Sequence, residues 1–282
     1  MALDIKKLGI RSASAAVFVI VLLGGILLNY YSFTILFLFI SIAGLKEFFV
    51  LAALCGARPY KIAGYAGGLI TYGIFVRADA IFPQTSFQLN ALLLAAIPFV
   101  ILAIALFSNR ERPLLNAVFT MAGIIYAVLP FAMLHELVIL PGVFTGTPVF
   151  FPNLLLAVIF LIWSNDTFAY LGGSLFGKHK LIERVSPGKT WEGTLCGIAV
   201  TVGVSFVIRR LMFPESVTLF WPMMGLLVPV LATAGDLVES SMKREAGVKD
   251  SGKLMPGHGG ILDRFDSLIF VSPFLVVLLK LL

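Results

Sequence analysis

The sequence predicts an all-α polytopic integral membrane protein with about nine transmembrane helices and a cytoplasmic N-terminus. Three observations predict it. Of 282 residues, 59% are hydrophobic and only 13% are charged, whereas roughly 25% of a soluble chain is charged. Mean hydropathy is +1.00. The basic residues are gathered in alternate loops between apolar runs. The 21 Lys and Arg and 15 Asp and Glu cannot coat one or two soluble domains of this length. An ordinary soluble enzyme, a disordered protein and a DNA-binding protein are therefore excluded. The net charge of +6 is spread over short loops, which is the pattern of membrane topology rather than of a nucleic-acid footprint.

A span needs about 20 mostly apolar residues. With turn residues and charges as punctuation, nine runs are found, at 12–29, 31–54, 62–77, 90–107, 114–140, 151–173, 192–213, 219–238 and 264–282. The first follows Lys6, Lys7 and Arg11 and resembles a signal peptide. Its 18 residues exceed the apolar core of such a peptide, and no clear small-residue cleavage site follows. It therefore reads as a retained first span. The third is short and carries Gly64, Gly67, Gly68 and Gly73, so it is tilted, broken or close-packed. Lys46–Glu47 interrupts the second run and His135–Glu136 the fifth. Charge at that depth is costly, and each reads as a buried pair or a pocket contact. Cys55 and Cys196 form no metal or disulfide framework and read as small packing residues.

Positive charge tests the count. With connections numbered alternately from an inside start, the inside segments hold sixteen basic residues. These are Lys6, Lys7, Arg11, Arg58, Lys61, Arg110, Arg112, Lys178, Lys180, Arg184, Lys189, Lys243, Arg244, Lys249, Lys253 and Arg264. The outside segments hold four, Arg77, Arg209, Arg210 and Lys280. A missed or invented span would exchange later loops and spoil this split. No repeat of fixed period is found. The reading is one membrane domain over 1–282, with scaffold helices in 1–150 and the chemistry in 151–282.

Three constellations carry that chemistry. In WSNDTFAYLGGSLFGKHK, 163–180, Asp166 sits about two turns inside a span, where an ionisable residue is a functional candidate. Gly172, Gly173 and Gly177 then loosen the backbone ahead of Lys178 and Lys180, suggesting a phosphate-binding exit from the helix. In SPGKTWEG, 186–193, Ser186 or Thr190 caps the next helix and Glu192 lies in its first turn. Lys189 beside such an N-terminus suits a phosphate. The strongest is GDLVESSMKREAGVKDSGKLMPGHGGILDRFDS, 235–267. Helical spacing puts Asp236, Ser240 and Lys243 on one face. Lys243, Arg244, Lys249 and Lys253 supply dense positive charge, and Gly252, Gly257, Gly259 and Gly260 permit close backbone approach to a ligand. Asp263 and Asp266 share a helix face. With Asp236 they read as hard-metal ligands beside a phosphate site, the way Mg²⁺ is usually held. His258 suits a hydrogen bond to phosphate or a shaping role in the glycine loop better than transition-metal ligation, since no second histidine is near in sequence.

The stretch SSMKREAGVKDSGKLMPGHGGILDRFD, 240–266, resembles the signature of the phosphatidate cytidylyltransferases, also called CDP-diacylglycerol synthases, without a gap. SNDTFAYLGG and SPGKTWEG are similar to further motifs of that family, in the expected order. The resemblance covers about 160–270, and the first 150 residues match only in being apolar. It implies an integral protein of a bacterial-type inner membrane, active on the cytoplasmic side in phospholipid biosynthesis. It would make CDP-diacylglycerol and pyrophosphate from CTP and phosphatidic acid. It implies Mg²⁺, a second cation such as K⁺ and a homodimer, with no nucleic-acid partner. The implied catalytic residues are Asp166, Lys189, Asp236, Lys243, Arg244, Lys249, Asp263 and Asp266, with Asp236, Asp263 and Asp266 as metal ligands. The implied substrate-binding residues are Ser186, Lys189, Ser240, Lys243, Arg244, Lys249, His258, Gly259, Gly260 and Arg264. A lipid kinase using a nucleotide at the same face and a secondary transporter are the competing readings. The clustering of charge at one face and the lack of an internal repeat weigh against transport.

Overall fold

The computed structural model describes residues 5–76, 87–141, 148–216, 218–254 and 259–281. The chain is mostly helical, and among the described residues six helical segments are long and apolar enough to cross a membrane. They are Tyr30–Leu54, Leu89–Leu106, Pro113–Val138, Asn153–Phe176, Trp191–Met212 and Phe220–Glu245. The other three apolar runs are helical too, over Ile5–Leu27, Lys61–Phe75 and Leu262–Leu281. The second of these has only 15 residues, and the third carries Asp263, Arg264 and Asp266 at its start. The chain divides into two compact units, Met1–Glu136 with Glu245–Arg264, and Leu137–Arg244 with Phe265–Leu282.

The first unit contains α1 (Ile5–Leu27), α2 (Tyr30–Leu54), α3 (Lys61–Phe75), α4 (Phe87–Leu106), α5 (Pro113–Ala127) and α6 (Leu129–Met133). Asn29 separates α1 from α2. Its side chain accepts from the amides of Tyr31 and Ser32, and Ser32 Oγ accepts from the Asn29 amide in a reciprocal cap. The core is aromatic, with Phe33, Phe37, Phe49 and Phe131 buried. Gly64 and Gly123 face Phe49, where a methyl group has no room. Gly64 and Gly67 of α3 are thus used for close packing, whereas a methyl group at Gly73 would meet nothing within 4 Å. The break between α5 and α6 comes just before Pro130, which has no amide to donate. His135 is fully buried, 2.8 Å from the Tyr30 hydroxyl through Nδ1 and edge-on to Phe33 and Tyr72. Helix α7 (His135–Val138) carries the chain out of this unit.

The second unit starts with a hairpin of β1 (Ile139–Pro141) and β2 (Pro148–Phe150). It continues with α8 (Asn153–Phe176), a second hairpin of β3 (Lys180–Ile182) and β4 (Ser186–Thr190), α9 (Trp191–Met212) and α10 (Phe220–Glu245). Helix α11 (Leu262–Leu281) follows, and Phe265 onward belongs to this unit. Neither hairpin is foreseen: Ile139 and Leu140 of β1 fall at the end of the fifth apolar run, 114–140, which leaves the helix at Val138, and β3 and β4 lie in a turn-rich connection. Helices α8 and α9 pack closely along glycines. A side chain at Gly172 would run into Cys196, one at Gly193 into the Ala169 carbonyl, and one at Gly197 into Asn165. Gly172, Gly173 and Gly177 are therefore contact residues against Cys196 and Thr190, rather than a loosened helix exit.

Candidate functional site

In the second unit, three carboxylates and one ammonium group come together from four elements. Asp166 lies on α8, Lys189 on β4, Asp236 on α10 and Asp266 on α11. Lys189 Nζ is 2.5 Å from Asp236 Oδ2. Asp166 and Asp266 each interact electrostatically with both Lys189 and Asp236, and Asp266 with Asp166. Local sequence explains the convergence. Thr190, the last residue of β4, caps α9 by accepting from the Gly193 amide at 3.2 Å, so Lys189 sits one residue before the cap. Of the two caps the sequence allows, Thr190 is the one used, and Ser186 is half-buried at the start of β4. Glu192 pins the connection, accepting from the amides of Lys178 and His179 and pairing with His179 Nδ1 at 2.6 Å. Gly235 lets α11 approach α10, since a Cβ there would lie 2.6 Å from the Asp266 carbonyl oxygen.

Along α10 the expected face is present. Ser240 Oγ donates to Asp236 Oδ1 at 3.1 Å. Lys243 pairs with Glu239 one turn earlier, and Glu239 is fully buried. Arg244 donates through Nε to the Val185 carbonyl at 3.3 Å, tying α10 to the β3–β4 turn. Lys243 and Arg244 thus meet protein groups.

The first unit holds the rest of the signature. Lys249 and Lys253 are exposed. Asp263 Oδ2 accepts from the Ser251 amide at 2.9 Å, the Ser251 hydroxyl at 2.9 Å and the Gly260 amide at 2.7 Å. Glu47, in the middle of α2, reaches the same segment. It accepts from Ser251 Oγ and from the amides of Ile261 and Leu262, each at 3.0 Å. Two carboxylates thereby clasp the loop and satisfy amides that open α11. The glycines follow from this. A side chain at Gly252 or Gly260 would run into the Glu47 carboxylate, and Gly259, at φ +85°, faces Asp263 Oδ2. Arg264 is exposed in the first turn of α11. His258 and Gly257 lie outside the described residues.

With that geometry in view, residues 9–282 match the cytidylyltransferase family. The chain belongs to that family. It is therefore an enzyme, a nucleotidyltransferase. It is similar to a phosphatidate cytidylyltransferase of Staphylococcus saprophyticus, at 32% identity over 96% of this chain and 98% of that protein. A protein of the same name from Staphylococcus epidermidis is 33% identical over 92% of both chains. One from Staphylococcus aureus is 37% identical over 68% of this chain and 69% of its own.

For a cytidylyltransferase, the donor set can be tested against a divalent metal. Among the described residues, no group of three or more His, Cys, Asp and Glu side chains is drawn tightly enough to hold a metal unaided. Mg²⁺ is normally bound by one or two carboxylates with substrate phosphates and water completing the shell. Asp236 and Asp266 offer hard oxygen donors of that kind, and the Lys189 ammonium already rests on Asp236. The residues fit such an ion.

One buried carboxylate, Glu239, lies outside the residues the sequence singles out. Glu239 is signalled only by its i, i+4 relation to Lys243. Glu47 was legible as an interruption of a span, but Lys46–Glu47 is no pair. Adjacent helical residues point apart, leaving Lys46 exposed and Glu47 buried.

Proposed function

We propose that the chain transfers CMP from CTP to phosphatidic acid, giving CDP-diacylglycerol and pyrophosphate for phospholipid biosynthesis. The convergence of Asp166, Asp236 and Asp266 on Lys189 carries this reading. Relatives named phosphatidate cytidylyltransferase, matched over nearly their whole length, support the choice of acceptor. A phosphate monoester has its second pKa near 6, so the lipid phosphate is mostly dianionic at pH 7. One of its oxygens attacks the α-phosphorus of CTP. The bond to the bridging oxygen of the β-phosphate breaks, and pyrophosphate leaves with that electron pair. No catalytic base is required, and the site offers carboxylates and cations rather than a base.

The difficulty is the approach of one anion to another, which positioned charge relieves. Lys189, displaced from Asp236 by substrate, lends its ammonium to the polyphosphate. Lys243, Arg244, Lys249 and His258 are proposed for the remaining phosphate oxygens, with Ser186, Ser240, Gly259, Gly260 and Arg264 as further substrate contacts. Asp236 and Asp266 would hold Mg²⁺, and Asp166 lines the same cluster. Asp263 is proposed as a ligand on the resemblance alone, as are a second cation such as K⁺ and a homodimer. When bound, Mg²⁺ supplies charge neutralisation and aligns the attacking and leaving oxygens. Nine spans with the N-terminus and active site at the cytoplasmic face of the cell membrane are supported by the sixteen-to-four division of basic residues.

The test is an assay on purified, detergent-solubilised protein with phosphatidic acid, labelled CTP and Mg²⁺. Lipid-linked cytidine formed together with pyrophosphate, and lost with EDTA, is the expected result. CDP formed with a phosphorylated lipid would replace the reading by that of a lipid kinase.

A further inference from the structure

In the first unit, a cavity of about 1090 Å³ lies between α3 and α4. Its walls are almost wholly apolar, with Ile70, Leu93 and Ile97 among them. One end is different. Arg58 precedes α3, Lys61 is the first residue of α3 and Arg110 follows the end of α4, and all three line the cavity. Arg110 is held in place. Its guanidinium lies 5.0 Å over the Tyr60 ring, and Nη1 reaches the carbonyls of Arg58 and Pro59 at 3.4 Å. The Arg58 amide is fixed in turn by Asn116 Oδ1 at 2.6 Å. A cationic mouth is thus built onto an apolar groove by residues that belong neither to the carboxylate cluster nor to the signature loop.

Size and charge together select an occupant. The groove runs along α3 from Ile62 to Ile70, roughly 12 Å at the helical rise. One leaflet of hydrocarbon is about 15 Å deep. The basic mouth sits where positive-inside topology puts the headgroups of the cytoplasmic leaflet. A purely apolar ligand would leave three cations without counter-charge, and a free anion would leave the apolar groove unfilled. We propose that this groove binds one anionic glycerophospholipid, with acyl chain against α3 and α4 and phosphate at Arg58, Lys61 and Arg110. The inference goes beyond the transfer reaction and does not depend on its acceptor.

Native mass spectrometry of the full chain in detergent tests it, with phosphatidylglycerol and phosphatidylcholine titrated separately. Phosphatidylglycerol is chosen because its phosphodiester has no terminal phosphate to accept CMP. Retention of one phosphatidylglycerol in preference to phosphatidylcholine is expected. Replacing Arg58, Lys61 and Arg110 together by Gln should raise its apparent Kd roughly tenfold or more, with nucleotidyl transfer unchanged. Ala66→Phe fills the groove from an exposed position and leaves the charges in place, so it should remove the same adduct. If the triple variant fails to fold, Ala66→Phe and Arg58→Gln alone carry the test. Equal retention of both lipids would reduce the groove to ordinary annular contact. Competition by glycerol phosphate as strong as by the lipid would leave the groove without a role. Either result overturns the proposal.

Discussion

Replacing Glu47 by Ala should destabilise the protein and disable it together, although Glu47 lies outside every motif. The side chain accepts three hydrogen bonds, from Ser251 Oγ, the Ile261 amide and the Leu262 amide. Ser251 keeps a second acceptor in Asp263 Oδ2 at 2.9 Å, so its loss is partial. The two amides belong to residues that are 2% and 0% exposed, and water does not replace the carboxylate there. A buried donor left unmade costs about 1–3 kcal/mol, which gives about 2–6 kcal/mol for the pair. That is a large share of a net stability of about 5–15 kcal/mol. Glu47→Gln retains one acceptor oxygen and should cost about half as much, roughly 1–3 kcal/mol. The assay combines thermal unfolding in detergent with amide exchange over 251–262 and nucleotidyl transfer. Unfolding should shift down for both variants, more for Ala. Exchange should quicken across the signature loop before the rest of the chain, and transfer should fall with it. An Ala variant with unchanged unfolding, exchange and turnover would show that the clasp has no part in holding the loop.

Four other outcomes are expected. Asp236→Asn should lower turnover at least 100-fold, about 2.7 kcal/mol of transition-state stabilisation, while the protein still inserts and unfolds cooperatively; near-normal turnover would remove Asp236 from the site. Asp263→Asn should abolish transfer and loosen the loop, because Oδ2 serves three donors, and exchange at Ser251 and Gly260 reads the second effect. Lys243→Ala removes the ammonium group that pairs with the buried Glu239 and should cost about 1–3 kcal/mol in unfolding, whereas Lys243→Ala with Glu239→Gln should recover part of it. Thr190→Ala removes the α9 cap and should cost about 1 kcal/mol, with a fall in turnover if Lys189 is mispositioned.

Much of this architecture was legible because a bilayer imposes strong rules on sequence. Each of the nine apolar runs contains a helix, and the helices begin and end near the punctuation of charge, Gly and Pro. The pairings of β1 with β2 and of β3 with β4 were not legible, since strands of three to five residues carry too little periodicity. Within the cluster, Asp166 is legible as an ionisable residue inside a span, Lys189 as a cation beside a helix N-terminus, and Asp236 and Asp266 as hard oxygen donors near span ends. What sequence spacing could not provide was the partner of Glu47, which lies more than 200 residues away. The glycines of the signature were read as making room for a ligand. Gly252 and Gly260 instead make room for the Glu47 carboxylate, and Gly259 faces Asp263. Lack of a side chain predicts close approach, and only the fold says of what.

In the proposed transfer, one oxygen of the lipid phosphate displaces pyrophosphate from the α-phosphorus of CTP at the Asp236–Lys189 cluster. The most direct measurement follows two labels in parallel, CTP carrying ³²P at the α position and CTP carrying it at the γ position, with phosphatidic acid and Mg²⁺. Transfer by this route puts α label in the lipid phase and γ label in pyrophosphate, and Asp236→Asn loses both. Transfer of γ label to the lipid, or undiminished transfer of α label by Asp236→Asn, would contradict it.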